Sequence, residues 1–280
     1  MFEVIFLFCL GLIWIIFATI QDLKTREVAN WLNFSLIIFV LGFRFFYSLF
    51  NSNWNFFLFG LMGFALFFIL GNLLYYGRIF AGGDAKLMIA LGPIVMVFSS
   101  IFENLVLAGI FLFLFFFSGA IYGLFFGLGI YTKNFKKVNL ELKKKISKIK
   151  KYFLLFGFFI FVLFLILSFF DFIFFFLAII FLLSVVLFLF AKSLEDSCMF
   201  QIIPVSQLKE GDWLFENLKK GKFFMKAKWE GLSSKDIQLI KKKFKKVKIK
   251  QGIPFVPAFL IGFILFILLI LFVMPRVSMF

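Results

Sequence analysis

Residues 54–76, WNFFLFGLMGFALFFILGNLLYY, contain no charged side chain, and neither do residues 172–191, FIFFFLAIIFLLSVVLFLFA. An uninterrupted apolar run of about 20 residues matches the hydrocarbon thickness of a bilayer. In that medium the backbone must satisfy its own hydrogen bonds, so such a run folds as a helix. Barrel strands are shorter and alternate in polarity. The mean hydropathy of +1.09 extends this reading to most of the 280-residue chain. The sequence predicts an all-α polytopic membrane protein with about eight transmembrane helices. The expected spans are 2–20, 31–50, 54–76, 85–99, 104–131, 153–170, 172–191 and 254–274. The first span is expected to stay attached, because Glu3 precedes it and no small-residue cleavage site follows.

Basic residues flank cytoplasmic ends of spans. With the N-terminus outside, the inner segments are 21–30, 77–84 with the adjoining start of span four, 132–152 and 192–253. Together they hold 28 of the 30 lysines and arginines, leaving Arg44 and Arg276 elsewhere. Arg44, inside the second span toward its outer end, is expected to snorkel outward, with pairing to Glu103 as the alternative. The expected division is a five-helix membrane core over 1–131, a basic cytoplasmic loop over 132–152, two spans over 153–191, a lysine-rich domain over 192–253, and a last span with its tail over 254–280. The 132–152 stretch has an alternative reading as an amphipathic helix on the lipid surface. The 192–253 region reads as a small cytoplasmic α+β domain. Strands are expected around 210–217, 222–231 and 246–253, with a helix over 233–244 capped by Ser233 or Ser234. The strongly basic balance fits anionic lipid headgroups better than nucleic acid in a chain of this kind.

The chain has no histidine and two isolated cysteines, Cys9 and Cys198. Histidine-based triads and His-ligated zinc are excluded, and neither a metal nor a cofactor is expected. Acids are equally sparse. Outside 192–253 they are Glu3, Asp22, Glu27, Asp84, Glu103, Glu141 and Asp171. Asp22 and Asp84 fall on the same, cytoplasmic, face at the ends of membrane segments. Asp84 follows Gly82 and Gly83, whose missing side chains let another backbone come close. As isolated residues, Asp84 reads as a helix cap and Asp22 as a loop-end charge beside Lys24 and Arg26. As a pair they read as a carboxylate dyad, which hydrolyses a peptide bond by sharing one proton. Lys86 stands two residues from Asp84, on another side of a regular helix. It is expected to snorkel to headgroups or to support the dyad.

The segments GGDAKLM (82–88) and DLKTREVANWLN (22–33) resemble the two aspartate motifs of the GxGD membrane aspartyl proteases, in particular the archaeal type IV prepilin peptidases and preflagellin peptidases. The strict motif places glycine three residues before the aspartate, where this chain has Ala81. The stretch from LKEGDWLFENL to GIPFVPAFLIGF (208–263) is similar to the C-terminal part of archaeal members. The cysteine-rich zinc segment of bacterial members is absent. The resemblance implies an aspartic endopeptidase with Asp22 and Asp84 as catalytic residues and Gly82, Gly83 and Lys86 as substrate-binding or supporting residues. It implies removal of short basic leaders from prepilin-like or archaellin-like precursors at the cytoplasmic face of the cell membrane. The implied partners are membrane lipids and those precursors, with no nucleic acid, and the sequence leaves the oligomeric state open. Two other readings stand beside it: a proton- or cation-coupled transporter using the two aspartates as a relay, and a non-catalytic membrane scaffold.

Overall fold

The computed structural model describes residues 2–148, 151–221, 223–228, 231–250 and 252–273. Its elements are α1 (Phe2–Thr25), α2 (Asn30–Asn51), α3 (Trp54–Tyr76), α4 (Gly82–Val95), α5 (Ile101–Lys148), α6 (Lys151–Leu167), α7 (Ile173–Cys198), β1 (Phe200–Pro204), β2 (Trp213–Leu214), β3 (Leu218–Lys220), β4 (Phe223–Met225), α8 (Ser234–Lys241), β5 (Lys246–Lys250) and α9 (Val256–Val273). Among the described residues, α1, α2, α3, α5 and α7 are long and apolar enough to cross a bilayer, and α6 and α9 contain shorter apolar helices. The chain is a multi-pass membrane protein. It forms two units, one of residues 1–124 with 253–280 and one of residues 125–252.

The first unit is built around α4. Ala85, Leu87, Met88 and every residue from Ala90 to Val95 are buried, so this helix is enclosed by protein rather than lipid. Its 14 residues rise about 21 Å, short of the hydrocarbon thickness. Pro93 in its last turn removes a helical N–H, and the chain leaves the helix at Met96, which is extended. The expected fourth span ran to residue 99; its last stretch is non-helical instead. Backbone groups there need partners, since neither helix nor water supplies them. Asn104 meets both groups of Phe98, accepting from its N–H at 2.9 Å and donating to its carbonyl at 2.7 Å. Arg44 donates to the Met96 carbonyl and to the Phe56 carbonyl at the start of α3. The expected outward snorkelling of Arg44 is therefore wrong. The side chain is fully buried and its guanidinium lies 4.3 Å from the Phe56 ring centroid. Capping two carbonyls in the interior outweighs reaching for headgroups.

Small residues set the α3–α4 contact. Gly60, Gly63 and Gly71 lie on the buried face of α3. A Cβ on Gly63 would overlap the Gly92 carbonyl, and one on Gly92 would stand 2.6 Å from the Cβ of Phe67. Close backbone approach through such residues is how helices pack without a hydrophobic driving force in lipid. On the other side, α9 packs against α1 and α5 through aromatic rings. Phe8 meets Phe263 and Phe266 edge-on, and Phe115 lies 4.3 Å from Phe259 between ring centroids.

In the second unit, α5 continues as helix past residue 131. It bends at Asn134 (φ −128°, ψ 25°), whose amide donates to the Ile130 carbonyl at 3.1 Å. The lysine-rich stretch from 133 to 148 is thus helical. Tyr131 stacks edge-on against Phe190 of α7, and Lys145 pairs with Asp196. The α+β region holds two antiparallel sheets, one of order β1-β5-β2 and one of β3 with β4. Ile203, Leu214, Val247 and Ile249 from the larger sheet pack with Ile237 and Ile240 of α8. Ser233 caps α8 in a reciprocal box: its hydroxyl accepts from the Asp236 N–H, and Asp236 accepts from the Ser233 N–H. Strand β1 was not anticipated from the sequence. FQIIP ends in proline, which suits only an edge position, and β1 is an edge strand.

Candidate active site

Asp22 belongs to the face of α1 that carries Leu7, Gly11, Ile15, Ala18 and Thr19 into the first unit. That helical register, not a loop, determines its position, and only 6% of the residue is exposed. Its carboxylate accepts a hydrogen bond from the backbone N–H of Val256 at 2.9 Å. Val256 is the first residue of α9, so Asp22 satisfies one of the orphan donors of that helix and its charge faces the positive end of the dipole. Four residues on, Arg26 adopts a left-handed conformation (φ 58°) and its N–H closes onto the Asp22 carbonyl at 2.8 Å, ending α1. The Arg26 charge acts on Asp22, and Tyr122 of α5 lies within electrostatic reach of both.

Asp84 is the third residue of α4 and the acid of its first turn. It is half-buried, with the Ala81 backbone beside it. The charge of Asp22 reaches it. The two acids, 62 positions apart in sequence, therefore stand at the same end of the first unit, one delivered by α1 and one by α4.

The glycines before Asp84 behave differently from those that pack α3 on α4. A Cβ on Gly83 would meet the Val28 N–H group's nitrogen at 3.8 Å, and one on Gly82 would meet Tyr75 at 3.7 Å. These are ordinary contacts, and neither glycine has a positive φ. Packing within the chain does not require glycine at either position. Lys86 donates to the Asn30 side chain at 2.7 Å, tying α4 to the first residue of α2. The structure thus brings Asp22 and Asp84 together beside Gly83, and turns Lys86 toward α2.

Sequence reasoning missed the contribution of α9. Its signal was present in GIPFVPAF. A helix opening between Pro254 and Pro257 leaves first-turn N–H groups that need an acceptor, and the chain has few acids able to supply one. Tyr122 carried no such signal, since its position depends on how α5 crosses α1.

Residues 9–128 match the sequence profile of the type IV leader peptidase family. The match covers 120 of the 280 residues and makes this membrane region similar to that family. Three relatives, each named preflagellin peptidase, are similar to the chain. That of Methanococcus maripaludis is 30% identical over 91 residues, covering 32% of this chain and 39% of the relative. That of Methanocaldococcus jannaschii is 31% identical over 88 residues, covering 31% and 37%. That of Methanococcus voltae is 28% identical over 155 residues, covering 53% and 64%. The chain thus spans less than two thirds of the length of each of these relatives. No solved structure matches the chain. The type IV leader peptidase region contains Asp22, Gly82, Gly83, Asp84, Lys86 and Tyr122, whereas Val256 lies outside it.

Proposed function

We propose that this chain is a membrane-embedded aspartic endopeptidase. It removes short basic leaders from archaellin-like or prepilin-like precursors, with Asp22 and Asp84 as the catalytic pair at the cytoplasmic face. The observation that carries this reading is that Asp22 and Asp84, supplied by two different helices inside the region that matches the peptidase family, lie within electrostatic reach of each other. The names of the relatives supply the substrate class. The cytoplasmic placement rests on the distribution of basic residues. Among the described residues, the membrane embedding rests on the five helices long and apolar enough to cross a bilayer.

Two carboxylates that meet at one site share a proton. The ionised one takes a proton from a water held between them, and the protonated one donates a hydrogen bond to the scissile carbonyl. The water oxygen adds to the carbonyl carbon, the C–N bond breaks, and the departing amine carries away a proton returned by the dyad. The Val256 N–H fixes the Asp22 carboxylate during these steps. The missing side chains of Gly82 and Gly83, which packing within the chain does not demand, let the main chain of the substrate come close. Lys86 supports the dyad indirectly, by holding α4 to α2.

The test is leader removal from a precursor co-reconstituted with the chain in vesicles. Asp22→Asn and Asp84→Asn are each expected to abolish cleavage while the protein remains folded. Undiminished cleavage by Asp84→Ala refutes the assignment.

A further inference from the structure

The three-stranded sheet of the second unit has one face for its core and another that the core does not use. Ile203, Val247, Ile249 and Leu214 point to the core. Strand alternation and the register, with Phe200 opposite Lys250, Ile202 opposite Lys248 and Trp213 opposite Lys250, put the remaining residues on the other face. That face holds Phe200, Ile202, Trp213 and Phe215 together with Lys246, Lys248 and Lys250. Ile202 is 62% exposed and Trp213 37% exposed, so this face presents apolar surface beside its lysines. Lys248 is held between two rings, 3.8 Å from the Phe200 centroid and 4.0 Å from that of Phe215. A stacked ammonium still has hydrogens to donate.

Chain connectivity keeps the sheet near the ends of two apolar helices. β1 starts two residues after α7 ends, and α9 starts six residues after β5 ends. Because Phe200 pairs with Lys250, both connections leave from the same end of the sheet. α7 is long and apolar enough to span a bilayer, and α9 is apolar over Val256–Phe272. The sheet is therefore tethered at a bilayer surface by two short links. Aromatic rings settle at headgroup depth, and lysines are drawn to anionic headgroups there.

We infer that the outer face of this sheet is a docking surface for anionic lipid headgroups, with Ile202, Trp213 and the Phe200–Phe215 ring pair entering the interface and Lys246 and Lys248 meeting the phosphates. Lys250 serves the adjoining end, where it pairs with Glu195 of α7. The domain carries fifteen lysines against seven acids, and a basic leader is repelled by such a surface whereas an acidic membrane is attracted.

The full chain carrying Cys9→Ser, Cys198→Ser and Ile202→Cys, labelled at residue 202 with an environment-sensitive nitrobenzoxadiazole dye, is reconstituted in phosphatidylcholine vesicles with or without phosphatidylglycerol. The expected result is blue-shifted emission, quenched by brominated lipid, only when phosphatidylglycerol is present, and reversed by high salt. Lys246→Gln and Lys248→Gln are each expected to lower the docked-to-free ratio about fivefold. A dye on Lys219→Cys of β3 is expected to stay water-exposed throughout. Should Lys248→Gln loosen the sheet, Lys246→Gln carries the test, since its exposed side chain stands apart from the ring pair. Emission at residue 202 that is the same in both vesicle types overturns the inference. A water-exposed signal means that nothing docks, and a protected one means that protein covers the face.

Discussion

Gly83→Ala separates a glycine kept for packing from one kept for an incoming chain. In the folded protein the new methyl meets only the Val28 nitrogen at 3.8 Å and its Cβ at 3.9 Å. No neighbour has to move. Alanine replaces glycine in the first turn of α4, so stability is expected to stay level or rise by up to about 1 kcal/mol. A substrate main chain lying over the same backbone does meet the methyl. Overpacking by one such group costs about 1–3 kcal/mol, which lowers kcat/KM about 5- to 150-fold if the crowding is felt at the transition state. Thermal unfolding in detergent and cleavage of a leader-bearing precursor in vesicles, measured on one preparation, give both numbers. A variant that loses stability refutes the reasoning, because packing then demands the glycine. A stable variant with unchanged kcat/KM refutes it from the other side, because no backbone then passes over Gly83.

Gly92→Ala should behave oppositely: its methyl overlaps the α3 backbone near Gly63 and stands 2.6 Å from the Phe67 Cβ, so a stability loss of about 1–3 kcal/mol or more is expected by thermal unfolding. Arg44→Met leaves the Phe56 and Met96 carbonyls without their donor. The gross cost is about 2–6 kcal/mol, partly offset by no longer burying a cation, and a lowered melting temperature in detergent is the readout. In α8, hydrogen bonding from the Ser233 backbone and hydroxyl, with Lys228 nearby, holds the Asp236 carboxyl below its ordinary value. A depressed native pKa stabilises above the unfolded value, near 4, and that stabilisation disappears as pH falls through the native value. Amide protection in α8, taken relative to the intrinsic exchange rate at each pH, should therefore fall on acidification, and Ser233→Ala should cost about 1 kcal/mol at neutral pH and weaken that dependence.

Hydropathy made the membrane architecture readable because each apolar run has to be a helix. It did not distinguish a helix in lipid from one inside the bundle. α4 reads like any other span, yet its surroundings are protein, and only contacts with Gly63, Phe67 and Gly71 reveal this. The two aspartates were legible because acids are rare in this chain and these two flank spans on one face. Their convergence depends on the packing of α1 against α4, which no local pattern encodes. Arg44 was misread for a related reason: a lone arginine in a span says that a partner is needed, but not that the partners are the carbonyls of Phe56 and of Met96, just past the end of α4. The Val256 contact was invisible because a backbone N–H has no signature beyond the prolines around it. The lysines after residue 131 suggested a loop, whereas the stretch lacks both glycine after Gly129 and proline, and helix simply propagates through it.

The segment from Met96 to Phe98 gives the molecule a floor. Directly beneath α4, where a conduit would have to continue toward the far leaflet, the chain is sealed by buried residues, and the carbonyls of Met96 and Phe98 are already committed to Arg44 and Asn104. A proton or cation path from the aspartates would meet the buried Arg44 cation and two carbonyls that already accept hydrogen bonds. That arrangement disfavours a relay through this part of the first unit and suits the one-sided chemistry proposed above.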